Sequence, residues 1–149
     1  MASPLKHALH LWFRLSRSLT GGARVVVLEG NAVLLVRHTY TPGLHLPGGG
    51  VEVGDTFERT AIKELREEAA VRPKAPLELF GLYLNRAVTE RDHIALYVCR
   101  SHERDAFLPN REIAEAAFHP LHALPDDVTG ATRRRLAEVT EARRPDPYW

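Results

Sequence analysis

The apolar positions divide the chain into helical and extended stretches. In residues 5–19, LKHALHLWFRLSRSL, Leu5, Leu9 and Trp12 recur at steps of four and three, and Leu15 and Leu19 extend the same side. That spacing predicts a short helix, which Gly21-Gly22 is expected to end. Residues 23–29, ARVVVLE, and 32–38, AVLLVRH, are apolar and β-branched with Gly30-Asn31 between them, so they read as a hairpin. TYTPG at 39–43 and HLPGGGVEVGD at 45–55 lack any period and read as loops. From Thr56 to about Ala69 the period becomes helical, with Asp55 as N-cap, Glu58 completing a capping box, and Pro73 and Pro76 marking the exit.

Two further strands are predicted at 77–88 and 93–100, joined by TERD. PNREI at 109–113 is a loop and AAFHPL at 116–121 a short strand. TGATRRRLAEVTEA at 129–142 is a helix whose Arg133-Arg134-Arg135 run is expected to be solvated, and the tail RRPDPYW is irregular. Strands on both sides of a central helix, with another helix closing the chain, pack naturally as a mixed sheet between helices. The fold class is therefore α/β: one domain over residues 23–149, with a helix over 1–22 appended to it.

Length and composition fit this picture. A chain of 149 residues, 44% hydrophobic and 26% charged, suits one globular domain. A formal net charge of +1 lacks the basic excess of a protein that binds long nucleic acid, so a small anionic ligand is expected instead. The single Cys99, in the run IALYVC, excludes an internal disulfide and reads as a core residue in a reducing, cytoplasmic setting. No stretch approaches the roughly 18 apolar residues of a membrane span, and no membrane partner is expected. The 5–19 helix is expected to pack on the domain or on a second copy in a homodimer, although its basic polar side also suits a membrane surface.

Candidate chemistry lies in the central helix. At about 100° per residue, Glu64, Glu67 and Glu68 fall within one arc of roughly 100°. Ala61, Ile62, Leu65 and Ala69 form a neighbouring apolar arc. Glu64 and Glu68 repel as an i,i+4 pair, by a few tenths of a kcal/mol. A divalent cation between them would reverse that sign, and Mg²⁺ takes oxygen ligands of this kind. A solvated charged helix face is the plainer reading of these residues alone. Gly48-Gly49-Gly50 just upstream changes the balance, because glycines let backbone approach a phosphate or a metal.

Residues 49–71 resemble the Nudix box, G-x5-E-x7-R-E-U-x-E-E-x-G-U, where U is a bulky aliphatic residue. Gly49 is followed after five residues by Asp55, and after seven more by Lys63-Glu64-Leu65-Arg66-Glu67-Glu68-Ala69-Ala70-Val71. HLPGG, LLVRH and the later NREIAEAAFHPLHALP also resemble the family's flanking segments. The resemblance implies a Nudix-like α/β/α sandwich with a mixed β-sheet between helices. It also implies Mg²⁺-dependent hydrolysis, with Mn²⁺ as the alternative ion, of the pyrophosphate bond in a nucleoside diphosphate linked to another moiety. Three positions depart from the pattern: Asp55 for Glu, Lys63 for Arg and Ala70 for Gly. Lys63 lacks the planar fork that can orient Glu64. Ala70 costs about 1 kcal/mol if the helix ends there in a left-handed residue.

By position, the resemblance makes Glu67 and Glu68 metal ligands, Glu64 a ligand or base, and the Gly48 carbonyl a further ligand. Glu112, with Glu115 as runner-up, fits the additional carboxylate that members of the family draw from a later loop. For substrate, the candidates are Gly49 and Gly50 of the loop, Arg37 for a phosphate, Tyr40 and His45 for a base, and Tyr83 and Asn85 on one side of a strand. The expected partner is a small nucleotide, first a nucleoside triphosphate. ADP-ribose or a nucleotide sugar is the alternative substrate, and a non-catalytic nucleotide-sensing domain is the alternative function. An isomerase-type reaction using a cysteine is disfavoured, because Cys99 sits in a strand interior.

Overall fold

The computed structural model describes residues 4–149. The first helix, α1 (Pro4–Ser16), stops short of Gly21-Gly22, which lie inside β1 (Thr20–Glu29) instead of ending the helix. These glycines make room: a Cβ on Gly21 would stand 2.8 Å from Phe57 Cζ, and Gly22 faces Gly50 across a ladder. β1 and β2 (Ala32–His38) form the expected hairpin, with Leu28 opposite Val33 and Glu29 opposite Ala32. The two strands then diverge. β3 (Leu44–His45) pairs with β2, and β4 (Gly48–Gly50) fills the gap beside the first half of β1.

The chain continues through α2 (Phe57–Ala69), β5 (Val71–Pro73), β6 (Glu78–Leu84), β7 (Asp92–Cys99), β8 (His102–Arg104), β9 (Ile113–Pro120) and α3 (Gly130–Thr140). The main sheet runs β3-β2-β1-β7-β6, with β4 added to β1 and β9 to β2. β1 and β7 are parallel while the other pairs are antiparallel, so the sheet is mixed. β5 and β8, absent from the sequence reading, pair as a separate ribbon; three residues are too few to display a period.

Strand alternation splits the apolar residues into two cores. Val25, Val27, Leu34, Val36, Ala95 and Cys99 face α2, where Ala61, Leu65 and Ala69 are buried. Val26, Val33, Leu35, Leu96 and Val98 face the other way, against Leu136 of α3 and Val128. Burying each larger side chain contributes about 1.5–3 kcal/mol, and together they fix the helix–sheet–helix layering.

Two helix details depart from the sequence reading. Thr56, not Asp55, caps α2: its extended backbone lets its side chain accept from Arg59 N at 3.1 Å. Asp55 N is engaged by Glu52 O in the preceding turn, and Glu58 Oε1 accepts from Leu77 N, so no capping box closes. Arg135 is fully buried rather than solvated. It donates to Glu138 Oε1 (2.7 Å) and Tyr148 O (2.8 Å) and lies over the Tyr83 ring, 4.3 Å from its centre. The irregular tail is thereby docked, with Trp149 N bonded to Leu84 O.

At the far end of α2, Ala70 adopts φ 55°, ψ 32°, the left-handed conformation that the Nudix pattern assigns to glycine. Its N–H closes onto the carbonyls of Arg66 and Leu65. An alanine there carries Cβ strain of about 1 kcal/mol, partly offset by its lower entropy when unfolded. Ala70→Gly is expected to raise stability by about 0.5–1 kcal/mol and the thermal midpoint by roughly 2–4 °C. Urea unfolding of the two chains checks this, and a destabilised glycine variant would contradict it.

Candidate active site

β4 and α2 build the site together. Gly48 has φ 148°, and a Cβ on it would stand 2.0 Å from Ala23 O, so only glycine allows β4 to lie this close to β1. From that position Gly48 N donates to Glu68 Oε2 at 2.8 Å. One turn earlier on α2, the Glu64 carboxylate rests against Gly49, where a Cβ would approach Oε1 to 2.5 Å. The four-residue helical step thus matches the step between two adjacent residues of β4.

A second carboxylate source arrives from the loop before β9. Asn110 Oδ1 accepts from the N–H groups of Glu112 and Ile113, and Thr39 N donates to Glu112 O, tying the loop to the end of β2. Glu112 then joins Glu64, Glu67 and Glu68 around a cavity of about 360 Å³. Glu64, Glu68 and Glu112 also line an adjoining cavity of about 440 Å³ with Arg24, His38, Tyr40, His45 and β4.

The charge here is unbalanced. Glu68, 8% exposed, has its carboxyl pushed up to about 7 by burial, with Glu64 and Glu112 adding to the rise and the Gly48 amide and Arg24 opposing it. Burial and then Glu67 raise Glu64 as well. His38 Nε2 stands 3.7 Å from Glu68 Oε1, while burial, His45 and Arg24 push its pKa down. Arg24 lines the cavity of about 440 Å³, and Arg111 that of about 360 Å³. The donors are of the kind a divalent cation takes: hard carboxylate oxygens, with Glu68 buried and only partly compensated by the Gly48 amide and Arg24. Among the described residues no three acidic or imidazole groups converge tightly enough to enclose an ion alone. Mg²⁺ tolerates such a shell, completing it with water and phosphate oxygens.

The other sequence candidates separate by strand parity. Tyr40, 71% exposed, and His45 stand at the cavity, their ring centres 5.3 and 5.6 Å from that of His38. Arg37 does not reach it. It shares the alternation of Val33 and Leu35 and pairs instead with Glu115 (3.2 Å) and Asp127. Glu115 is therefore committed to Arg37, away from the carboxylate cluster. Tyr83 is buried in the core on the α3 side, its hydroxyl donating to Glu138 at 2.8 Å. Asn85 braces the β6–β7 turn through Asp92 (2.8 Å). Neither lines the cavity, because that side of β6 faces α3. Lys63 pairs with Glu52 at 3.5 Å and is not seated on Glu64.

Arg24, His38 and Thr41 were not among the sequence candidates, yet they line the cavity. The signal for Arg24 was present: it is a lone charge inside the apolar run ARVVVLE. His38 falls on the same side of β2 as Leu34 and Val36, which is the face toward α2.

A mixed sheet between helices, with an acidic helix side set against a glycine strand, defines the class of the molecule. The NUDIX domain model matches residues 19–139. The chain belongs to that family. A Mycobacterium tuberculosis protein named for MutT4 is 36% identical over 100 residues, 64% of this chain and 40% of its own. An ADP-ribose pyrophosphatase of Methanocaldococcus jannaschii is 32% identical over 72 residues, 46% of this chain and 42% of its own. The match therefore spans less than half the length of either relative. Among solved structures, a MutT NUDIX hydrolase from Burkholderia pseudomallei superposes with TM-score 0.71 at 22% identity, covering 83% of this chain and 99% of its own.

The raised Glu68 pKa has a consequence for stability. Its folded value lies above the ordinary carboxylate value, so the folded state binds the proton more tightly and the ionised form is penalised. In chelator-treated protein, stability should fall as pH rises from about 4.5 to 7, by up to roughly 3 kcal/mol. Glu68→Gln should flatten that slope, and denaturant titrations at pH 5 and 8 measure it. Parallel pH profiles for the two chains would contradict the assignment.

Proposed function

We propose that this chain hydrolyses the pyrophosphate link of a nucleoside diphosphate joined to another group, with Mg²⁺ or Mn²⁺ as cofactor. The observation that carries this reading is the gathering of Glu64, Glu67, Glu68 and Glu112, from a helix and a remote loop, around one cavity beside the Gly48–Gly50 strand. A bound divalent cation would supply charge neutralisation on phosphate oxygens and acidify water. Glu67 and Glu68 would hold it, with Glu64 and the Gly48 carbonyl alongside.

Glu64 or Glu112 would take a proton from the attacking water. Both border the cavity, and neither is locked by a hydrogen bond like the one that holds Glu68. Arg24 offers a fixed positive charge to a phosphate on the same wall. Tyr40 and His45 present rings at the other side of the cavity, where a nucleobase would lie.

A nucleoside triphosphate is the first substrate class, supported by the MutT names of the relatives. ADP-ribose is the second, supported by the Methanocaldococcus jannaschii relative. A panel of nucleoside triphosphates, ADP-ribose and nucleotide sugars with Mg²⁺ or Mn²⁺ separates them through the phosphate products formed. Glu68→Gln should lower kcat by about 10²-fold or more while the chain stays folded. Near wild-type turnover in that variant would overturn the metal assignment. Tight nucleotide binding with no cleavage anywhere in the panel would make the domain a sensor.

A further inference from the structure

We propose that α1 docks the protein on an anionic lipid surface, lying in the headgroup plane with its apolar side toward the acyl chains. The described leucines and Trp12 of this helix are not covered by the domain. Leu9 is 50% exposed, Leu11 57%, Trp12 58%, Leu15 69%, and Leu19 just beyond the helix 67%. Elsewhere large exposed apolar residues stand singly, as Val53 and Leu108 do, or as a pair, as Leu79 and Leu82 do on β6. Here five fall within eleven residues. Arg91 donates to Leu15 O at 2.9 Å and Arg17 lies 4.4 Å from the Phe13 ring centre, so the helix is tethered at its end but not covered.

The charge on this segment selects the occupant. At about 100° per residue, Leu9, Leu11, Trp12, Phe13 and Leu15 sweep an apolar arc of roughly 200°, while His10 and Arg17 fall together outside it. No Asp or Glu precedes Glu29, so Lys6, Arg14 and Arg17 are charges of one sign with no counter-charge on the helix. A second copy packed face to face would set two cationic flanks side by side. Anionic headgroups supply the missing opposite charge. Thirteen residues rise only about 20 Å, and no helix among the described residues is long and apolar enough to cross a membrane, so the helix lies on a bilayer.

Flotation of the full chain with vesicles tests this, using phosphatidylcholine containing about one-third phosphatidylglycerol against phosphatidylcholine alone. Binding to the anionic vesicles should exceed binding to neutral ones by at least about tenfold and weaken several-fold in high salt. Trp12→Glu with Leu15→Glu should cost more than about tenfold in binding, and Arg17→Glu several-fold, with the thermal midpoint of the domain unchanged because these side chains are exposed. Equal uptake by neutral vesicles, no uptake by anionic ones, or full binding by the double variant would overturn the proposal. So would a dimer in light scattering that the double variant splits while vesicle uptake is absent, which would assign the face to a second copy.

Discussion

The site depends on one close approach, that of the Gly48 backbone to Ala23. β4 can lie on β1 only because Gly48 has no Cβ, and this contact is what aims its N–H at Glu68. A buried carboxylate needs such a donor, since an unpaired one would neutralise or unfold its surroundings. One amide and one neighbouring guanidinium compensate only in part, which is why burial still dominates the Glu68 pKa. The residual deficit is what protonation relieves as the pH falls, so the fold itself is coupled to the charge of this carboxylate.

The same strand geometry governs what the sequence disclosed and what it hid. α2 was legible because its period, its buried arc and its carboxylates coincide in thirteen residues. The hairpin was legible because Gly30-Asn31 divides two uniform runs. Arg37 and His38 show where the reading fails. Both are polar and adjacent, and the choice between them rests on parity, with a register shift falling between them. Residue type favoured Arg37, whereas the alternation set by Leu34 and Val36 puts His38 on the side of α2. Tyr83 was lost for the same reason, and Arg135 because Tyr148, Trp149 and the Tyr83 ring close over it only once the tail has docked. The N-cap moved by one residue because the turn ahead of it engages the Asp55 amide.

The register shift at the end of β2 also ties the two walls of the cavity together. Beyond it, His38 turns toward Glu68, Thr39 holds the loop bearing Glu112, and Tyr40 emerges at the mouth. A carboxylate more than forty residues from the box is thus positioned by the strand that also positions the rings. No spacing rule within the box could have located that connection, because it depends on β2 pairing with β9.

Net charge proved a coarse guide for a related reason. A total of +1 averages two segments of opposite sign: residues 1–28 carry no acid, and residues 29–149 are net acidic. The acidic portion contains the carboxylate cavity, whose excess negative charge suits a cation and, through it, a phosphate. An anionic surface would repel that portion and attract only the first. The helix that leaves Leu9, Leu11, Trp12 and Leu15 in water is also part of the acid-free segment, which is why the proposed surface is an anionic one.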